Sequence, residues 1–167
     1  MYDDLPYDIS IEVAVSAPDL DVEALHHLSV RVMAGENIDA GTSLAVLITD
    51  DDEIRRMNHQ FLGIDEPTDV LSFPMWEGEF GDVCMDLLGD VVISAPTAQV
   101  MADEHGMPFA AVLDLLLVHG ILHLVGYDHE RGAKAALEME SRSMELLRLL
   151  GHEAETFGWY LKPDAAS

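Results

Sequence analysis

Residues 109–126 read FAAVLDLLLVHGILHLVG and form the most apolar stretch of the chain. Pro108 precedes this stretch and Gly126 ends it, which is typical of a helix, since a first turn tolerates proline and a helix end favours glycine. The stretch has about the minimum length for a membrane span, but it contains an aspartate and two histidines, which are costly within a bilayer. It is therefore predicted to be a buried core helix.

Shorter segments on either side have the patterns of strands and helices. Strands are predicted where apolar residues alternate or run together, and helices where an apolar stripe follows a capping residue such as Asp21. The predicted strands are 9–15, 43–49, 69–73 and 87–94, and the predicted helices are 22–34, 51–61, 95–105, 108–125 and 132–150. This order indicates an α+β fold, in which helices pack on a small mixed sheet. Residues 1–151 are assigned to a single domain and residues 152–167 to a C-terminal tail.

Composition limits the environment and the partners of the protein. With 167 residues, 49% of them hydrophobic, the chain is long enough for one domain with a core. Its single cysteine, Cys84, excludes an intramolecular disulfide, and its first residues do not resemble a secretory signal, so we expect a cytoplasmic protein with no membrane partner. The net charge of −24 repels nucleic acid at long range, so RNA binding would need a local basic patch or a metal ion.

Three histidines fall close together in HGILHLVGYDH, residues 119–129. His119 and His123 are four residues apart, so they project from the same face of a helix. Gly126 can adopt the left-handed conformation that ends a helix and turns the chain back, which lets His129 approach the same ion. Three imidazoles suit zinc and leave a fourth position for water. The sequence therefore predicts one zinc ion at the C-terminal end of the buried helix.

Two other kinds of site fit parts of this pattern. A closed structural zinc site needs a fourth ligand, which Asp128 or Glu130 could provide. The spacing is also that of the metzincin proteases, H-E-x-x-H-x-x-G-x-x-H, in which the glutamate after the first histidine is the general base. Here that position is Gly120, so a protease of this mechanism would lack its base.

Three blocks of the sequence resemble the YbeY family of ribosomal RNA maturation factors. HGILHLVGYDH closely matches the family signature H-G-x-L-H-L-x-G-Y-D-H. MNHQFLGIDEPTDVLSFP at 57–74 resembles the family pattern L-N-x-x-[FY]-R-x-x-D-x-P-T-D-V-L-S-F-P, and LGDVVIS at 88–94 resembles L-G-D-I-x-I-S. The blocks occur in family order and span about residues 57–130.

The resemblance implies a single-domain, metal-dependent endoribonuclease. The implied roles are processing of the 3′ end of small-subunit ribosomal RNA and ribosome quality control, with ribosomal RNA as substrate and ribosomal proteins or an assembly GTPase as possible partners. His119, His123 and His129 match the histidines that hold a zinc-like ion in the family, and His119 is also taken as catalytic. Zinc lowers the pKa of water and neutralises phosphoryl oxygens, and neither task needs a glutamate at Gly120.

Two alternatives to an endoribonuclease remain at this level. One is a metallopeptidase that has the metzincin ligand spacing and a displaced base. The other is a non-catalytic ribosome-assembly protein with a structural zinc site. Cleavage of RNA but not casein would separate the two enzymes, and a fourth position open to water would disfavour the structural site.

The sequence departs from the family pattern at Leu62, where the family has an arginine implied to contact substrate phosphate. Leucine cannot bind phosphate. Arg55 and Arg56 lie about two turns earlier on the same predicted helix, and we expect one of them, together with His59, to replace the missing contact. The alternative is that both arginines only offset the acids beside them.

The family blocks also supply weaker candidates. Asp128 could orient a histidine through its second ring nitrogen or could cap the turn. Other family positions expected near the site can equally be turn, strand-entry or packing residues; these are Asn58, Thr68, Asp69 and Ser72. Two aromatic residues, Phe73 and Trp76, could stack on bases or anchor a loop.

Overall fold

The computed structural model of the chain describes residues 7–74, 87–127 and 132–161. The elements follow the predicted order, and a short 3₁₀ helix comes after them. The strands are β1 (Asp8–Val13), β2 (Ser43–Thr49), β3 (Val70–Pro74) and β4 (Leu87–Ser94). The helices are α1 (Val22–Gly35), α2 (Asp51–Leu62), α3 (Ala95–His105), α4 (Phe109–Val125) and α5 (Ala133–Leu149), and the 3₁₀ helix is Ala154–Phe157.

The strands form one mixed sheet in the order β1-β2-β4-β3. β2 pairs in parallel with both neighbours, so its Ile48 lies beside Val13 of β1 and Ile93 of β4. Parallel neighbours need a crossover connection, which α1 provides between β1 and β2. β3 runs antiparallel to β4 at one edge, where Val70 pairs with Ile93.

The two faces of the sheet carry different helices because side chains alternate along each strand. Val46 and Ile48 of β2 and Val91 of β4 enter the main core, which they share with residues of α1, α3, α4 and α5. On the other face Ile54 of α2 packs with Val92 of β4 and with residues of β3. The histidine-bearing helix α4 and the arginine-bearing helix α2 therefore lie on opposite faces of the sheet.

Capping side chains fix where α2 and α3 begin. The Asp50 carboxylate accepts the Glu53 N–H at 2.8 Å at the start of α2. Ser94 caps α3 by accepting the Thr97 N–H at 3.3 Å. The carboxylate of Asp51 accepts the hydroxyls of Ser94 at 2.5 Å and Thr97 at 2.6 Å, so it ties the first turn of α2 to the first turn of α3.

The C-terminal residues differ from the predicted tail over 152–167. Ala154 and Phe157 are fully buried and Leu161 is 1% exposed, so residues 152–161 belong to the folded domain. The apolar residues of this segment are few and irregularly spaced, so their periodicity did not predict that the segment packs on the domain. Residues 162–167 lie outside the described part of the chain. The predicted α+β fold of one small domain is confirmed, with the domain extended beyond residue 151.

Within the described ranges, no individual helix has both the length and the apolar character that a membrane span requires. α3 and α4 meet those requirements only as a pair, and the pair is bent by 119°. Twelve of the seventeen residues of α4 are buried within the domain, as predicted for a core helix.

Candidate functional site

His119 and His123 lie on the same face of α4, near its C-terminal end. Their ring centroids are 5.0 Å apart and the ring planes meet at 78°. Two imidazoles that share one tetrahedral zinc ion, with Zn–N bonds of about 2 Å, place their centroids about 5 Å apart, so the pair fits a common ion. His119 is only 6% exposed whereas His123 is half-buried, so the pair is accessible from the side of His123.

α4 ends as the sequence predicts. Gly126 has a φ of 119°, and its N–H contacts the carbonyl oxygens of His123 and Leu122. The proposed third ligand, His129, lies outside the described residues, as do Asp128 and Glu130. Within 7–74, 87–127 and 132–161 no three His, Cys, Asp or Glu side chains gather around a possible metal position. A complete zinc site at this pair therefore needs a ligand from outside those ranges.

Gly120 lies where α4 approaches the sheet most closely. A Cβ atom at this position would be 2.7 Å from Cγ1 of Val91 and 3.3 Å from both Cγ2 of Val70 and Oγ of Ser72. The side that a larger residue would occupy is filled by β3 and β4. A side chain here would force Val91 or the helix to shift, so packing as well as sequence disfavours a glutamate at the position of the metzincin base.

Two of the family-matched polar residues hold structural elements together. Asn58 is 4% exposed, and its side-chain amide donates to the carbonyl oxygen of Glu66 at 2.9 Å, which fixes the loop after α2. Ser72 donates its hydroxyl to the carbonyl oxygen of Gly120 at 2.9 Å, which fastens β3 to α4 between the two histidines. Ser72 therefore supports α4 at the histidine pair, whereas Asn58 stabilises the loop after α2.

Asp69 and Tyr160 form a second polar pair beside His119. The Tyr160 ring meets the His119 ring edge to face, with centroids 5.3 Å apart and planes at 86°. Its hydroxyl lies near the carboxylate of Asp69, which accepts the Val70 N–H at 2.7 Å. Burial, followed by the charge and hydrogen bond of Asp69 and the charge of Glu140, raises the pKa of Tyr160 well above its usual range. The phenol is therefore a neutral donor at physiological pH.

Tyr160 is a residue of the site that was not predicted from the sequence. Tyr160 lies in the predicted C-terminal tail, residues 152–167, where apolar residues do not recur with the period of a helix or strand. Asp69 and His119, which lie near it in the fold, are far from it in the sequence. Asp69 was identified from the family block, but as a turn residue or an unspecified site residue. The short apolar run of Trp159, Tyr160 and Leu161 was the signal that the sequence offered.

Asp114 and His152 form another pair that the sequence did not indicate. Oδ2 of Asp114, on α4, is 2.8 Å from Nε2 of His152, on the segment after α5. Burial raises the pKa of Asp114, and the hydrogen bond and charge of His152 oppose that rise. The pair attaches the C-terminal segment to α4 five residues before His119.

The proposed phosphate contacts on α2 already have protein partners. Arg55 makes a two-point contact with Asp65, at 2.8 and 3.3 Å. Arg56 pairs with Glu53 and donates to the Gln60 side chain at 2.9 Å. His59 is exposed on the same helix, which lies on the opposite sheet face from α4. Arg55, Arg56 and His59 therefore lie on the opposite face of the sheet from the histidine pair.

The remaining candidates divide between the described and undescribed parts of the chain. Phe73 packs against Phe61 with centroids 5.3 Å apart, on the α2 face of the sheet. Thr68 donates to Asp69 at 3.3 Å, as expected of a turn residue. Trp76 and Cys84 lie outside the described residues.

A mixed sheet with a buried helix that presents two histidines at ligand spacing defines an α+β domain with a candidate metal site. Comparison of the sequence with known families identifies the particular one. The family described as Endoribonuclease YbeY matches residues 11–151. The chain belongs to the YbeY family.

Individual relatives agree with this assignment. An Endoribonuclease YbeY from Geobacter sulfurreducens is 52% identical over 110 residues, covering 65% of this chain and 73% of the relative. Another, from Syntrophotalea carbinolica, is 42% identical over 146 residues, covering 87% of this chain and 97% of the relative. The solution structure of TM1509 from Thermotoga maritima has a TM-score of 0.57 and 28% identity, with 91% of each chain covered. The family resemblance, the enzyme class and the fold predicted from the sequence are confirmed.

Proposed function

We propose that this protein is a zinc-dependent endoribonuclease that acts on ribosomal RNA, at the 3′ end of the small-subunit RNA, and in ribosome quality control. The observation that carries the proposal is the His119–His123 pair, with ring centroids 5.0 Å apart, in a chain of the YbeY family. Relatives carry the name endoribonuclease, which supports RNA as the substrate. A cytoplasmic location, ribosomal proteins and an assembly GTPase are the corresponding proposals for its surroundings.

In the proposed site His119, His123 and His129 would hold one zinc ion. When bound, zinc would supply Lewis-acid chemistry, lowering the pKa of water toward neutrality and neutralising charge on a phosphoryl oxygen. His119 is buried, and its ring packs edge to face against Tyr160. His123 is more exposed, which makes its side of the pair the approach for RNA. Asp128 is proposed to orient one of the imidazoles.

Packing at Gly120 favours phosphodiester over peptide cleavage. A metzincin-type peptidase requires a carboxylate at this position, and Val91 and Val70 occupy the space that it would need. No such requirement applies to a zinc site that acts on phosphate. A peptidase with its base at the metzincin position is therefore disfavoured. A peptidase with a displaced base and an assembly protein with a structural zinc site are separated from the endoribonuclease by experiment.

Phosphate binding by α2 is a further part of the proposal. Arg55, Arg56 and His59 are exposed, and Leu62 leaves the family position of the phosphate-binding arginine without a charge. To bind phosphate, Arg55 would have to leave Asp65 and Arg56 would have to leave Glu53. Exposed ion pairs contribute little to stability, so this exchange costs little.

The function is tested by metal analysis and RNA cleavage on the same purified samples. We expect wild-type protein to carry about one zinc ion per chain and to cleave ribosomal RNA but not casein. His123→Ala should lose both the metal and the cleavage. His27→Ala is the matched control, because His27 is an exposed histidine on α1 that pairs with Glu23 and should leave both properties unchanged.

Each other outcome has a defined meaning. Clean wild-type protein without metal would overturn the zinc site. Metal that is present while RNA cleavage survives His123→Ala would assign the cleavage to a contaminating nuclease and favour the assembly protein. Cleavage of casein would restore the peptidase.

A further inference from the structure

The residues after α5 form a strap, defined here as residues 152–161, that crosses α4 beside the histidine pair. Its attachment is extensive. His152 pairs with Asp114 at 2.8 Å, and Phe157 is fully buried. Trp159 stacks on His105 with ring centroids 3.8 Å apart. These contacts hold the strap to α3 and α4 independently of anything bound at the histidines.

Tyr160 is the strap residue that reaches the site. Its ring contacts His119 edge to face at a centroid distance of 5.3 Å, a preferred geometry for two aromatic rings. The carboxylate of Asp69 lies near its hydroxyl. That carboxylate accepts the Val70 N–H at 2.7 Å and the Thr68 hydroxyl at 3.3 Å, so it is itself fixed at the start of β3.

We propose that Tyr160 is a positioning residue of the histidine site, which holds the plane of the His119 imidazole through its ring, with Asp69 near its hydroxyl. This inference rests on the proposed zinc site. An imidazole binds a metal only when its nitrogen points at the ion, and groups behind a ligand commonly set that orientation. His119 receives this support from the last described part of the chain rather than from its own helix.

The alternative is that Tyr160 only fills space in the core. Tyr160→Phe distinguishes the two roles because it keeps the ring and removes the hydroxyl that lies near Asp69. Tyr160→Leu removes the ring as well. Tyr7→Phe is a matched control, since the Tyr7 hydroxyl makes one hydrogen bond, to the carbonyl oxygen of Ile38 at 2.7 Å. Tyr7 lies just before β1, at the sheet edge opposite β3.

The experiment measures zinc affinity of the full chain by competition with a chromophoric chelator, and the melting temperature of the metal-free protein. We expect Tyr160→Phe to weaken zinc binding about tenfold, the size of effect typical for a group behind a ligand, and Tyr160→Leu to weaken it further. Tyr7→Phe should leave the zinc affinity at the wild-type value. The two phenylalanine variants should lose comparable amounts of melting temperature.

The split between KM and kcat gives a second readout. A positioning role predicts that Tyr160→Phe lowers kcat on RNA more than it raises KM, even at saturating zinc. Wild-type zinc affinity in both Tyr160 variants, or equal weakening by Tyr7→Phe, would overturn the proposal and leave Tyr160 as a packing residue. Zinc binding by the wild type without RNA cleavage would overturn the proposed function alone. A wild type that binds no zinc would overturn both.

Discussion

Gly120 shows how one missing side chain brings a helix and a sheet together. The residue lies between the two histidines along α4, and its carbonyl oxygen accepts the Ser72 hydroxyl at 2.9 Å. Because there is no Cβ atom, α4 can approach β3 and β4 until the backbone and Val91 are in contact. The position of both histidines above the sheet therefore depends on this glycine.

Replacing Gly120 by alanine is expected to destabilise the protein by about 1–3 kcal/mol, the usual cost of overpacking a tight core. The added Cβ would lie 2.7 Å from Cγ1 of Val91. We expect this overlap to cost more free energy than the about 1 kcal/mol that the better helix propensity of alanine contributes. Urea unfolding of the metal-free protein measures the change. Gly35→Ala is the control, since its Cβ would meet its nearest neighbour at 3.4 Å and should not destabilise. Wild-type stability in Gly120→Ala would contradict the packing argument.

At the scale of elements, α4 and the strap are joined by a half-buried carboxylate. Asp114 lies on α4 and His152 begins the strap, with Oδ2 and Nε2 at 2.8 Å. Burial raises the pKa of Asp114 in spite of the histidine beside it. The attachment of the strap should therefore depend on pH.

The sign of this dependence follows from the raised pKa of Asp114. The folded state keeps the proton to higher pH than the unfolded state, so the stabilising contribution is fully present below the ordinary carboxyl pKa of about 4. It is lost as the pH rises through the raised pKa. Asparagine does not titrate. The free energy of unfolding of the wild type should therefore fall relative to that of Asp114→Asn as the pH rises through the acidic range.

Denaturant unfolding of both proteins at pH values from about 4 to about 7 tests this. Asp103→Asn, at an exposed acid on α3, is the control and should give no such trend. A stability difference between wild type and Asp114→Asn that stays constant or changes in the opposite direction would show that Asp114 does not keep its proton on folding.

Local patterns were sufficient for most elements and insufficient for the contacts between them. The helix and strand bounds agree with the predicted ones to within one or two residues, because caps such as Asp21 and stops such as Gly126 are encoded locally. The pairing of His119 with His123 followed from helix geometry in the same way. Tyr160 and the strap could not be found, since their partners are far away in sequence and long-range packing leaves no periodic signal.

At the scale of the whole molecule, charge opposes the proposed substrate. The net charge is −24, and the bases that the structure describes are largely engaged, since Arg55, Arg56, Arg142 and Arg148 pair with carboxylates. Under the proposed function, RNA would have to be held by the proposed metal site and by a few bases that change partners. Salt has opposite effects on the two contributions to RNA affinity. It screens the repulsion between the acidic protein and RNA, which favours binding, and it weakens each phosphate contact, which opposes binding.

Arg55→Ala and Arg56→Ala test whether either arginine contacts phosphate. If one does, its loss should lower RNA affinity and make the plot of log affinity against log salt shallower by about 0.7–1. Arg31→Ala is the control, because Arg31 donates to the carbonyl oxygen of Leu149 on the far helices. Unchanged affinity and slope in both variants would leave the arginines with the single role of offsetting Asp65 and Glu53.

The strap has a consequence for how the protein is made. A chain leaves the ribosome from its N-terminus and a domain generally folds as a unit, and the strap belongs to the same domain as the sheet and α4. Folding of this domain therefore cannot finish until residues 152–161 have emerged, because Phe157 lies in its core and Tyr160 packs against His119. A nascent chain that stops short of the strap would leave the His119 ring without this contact.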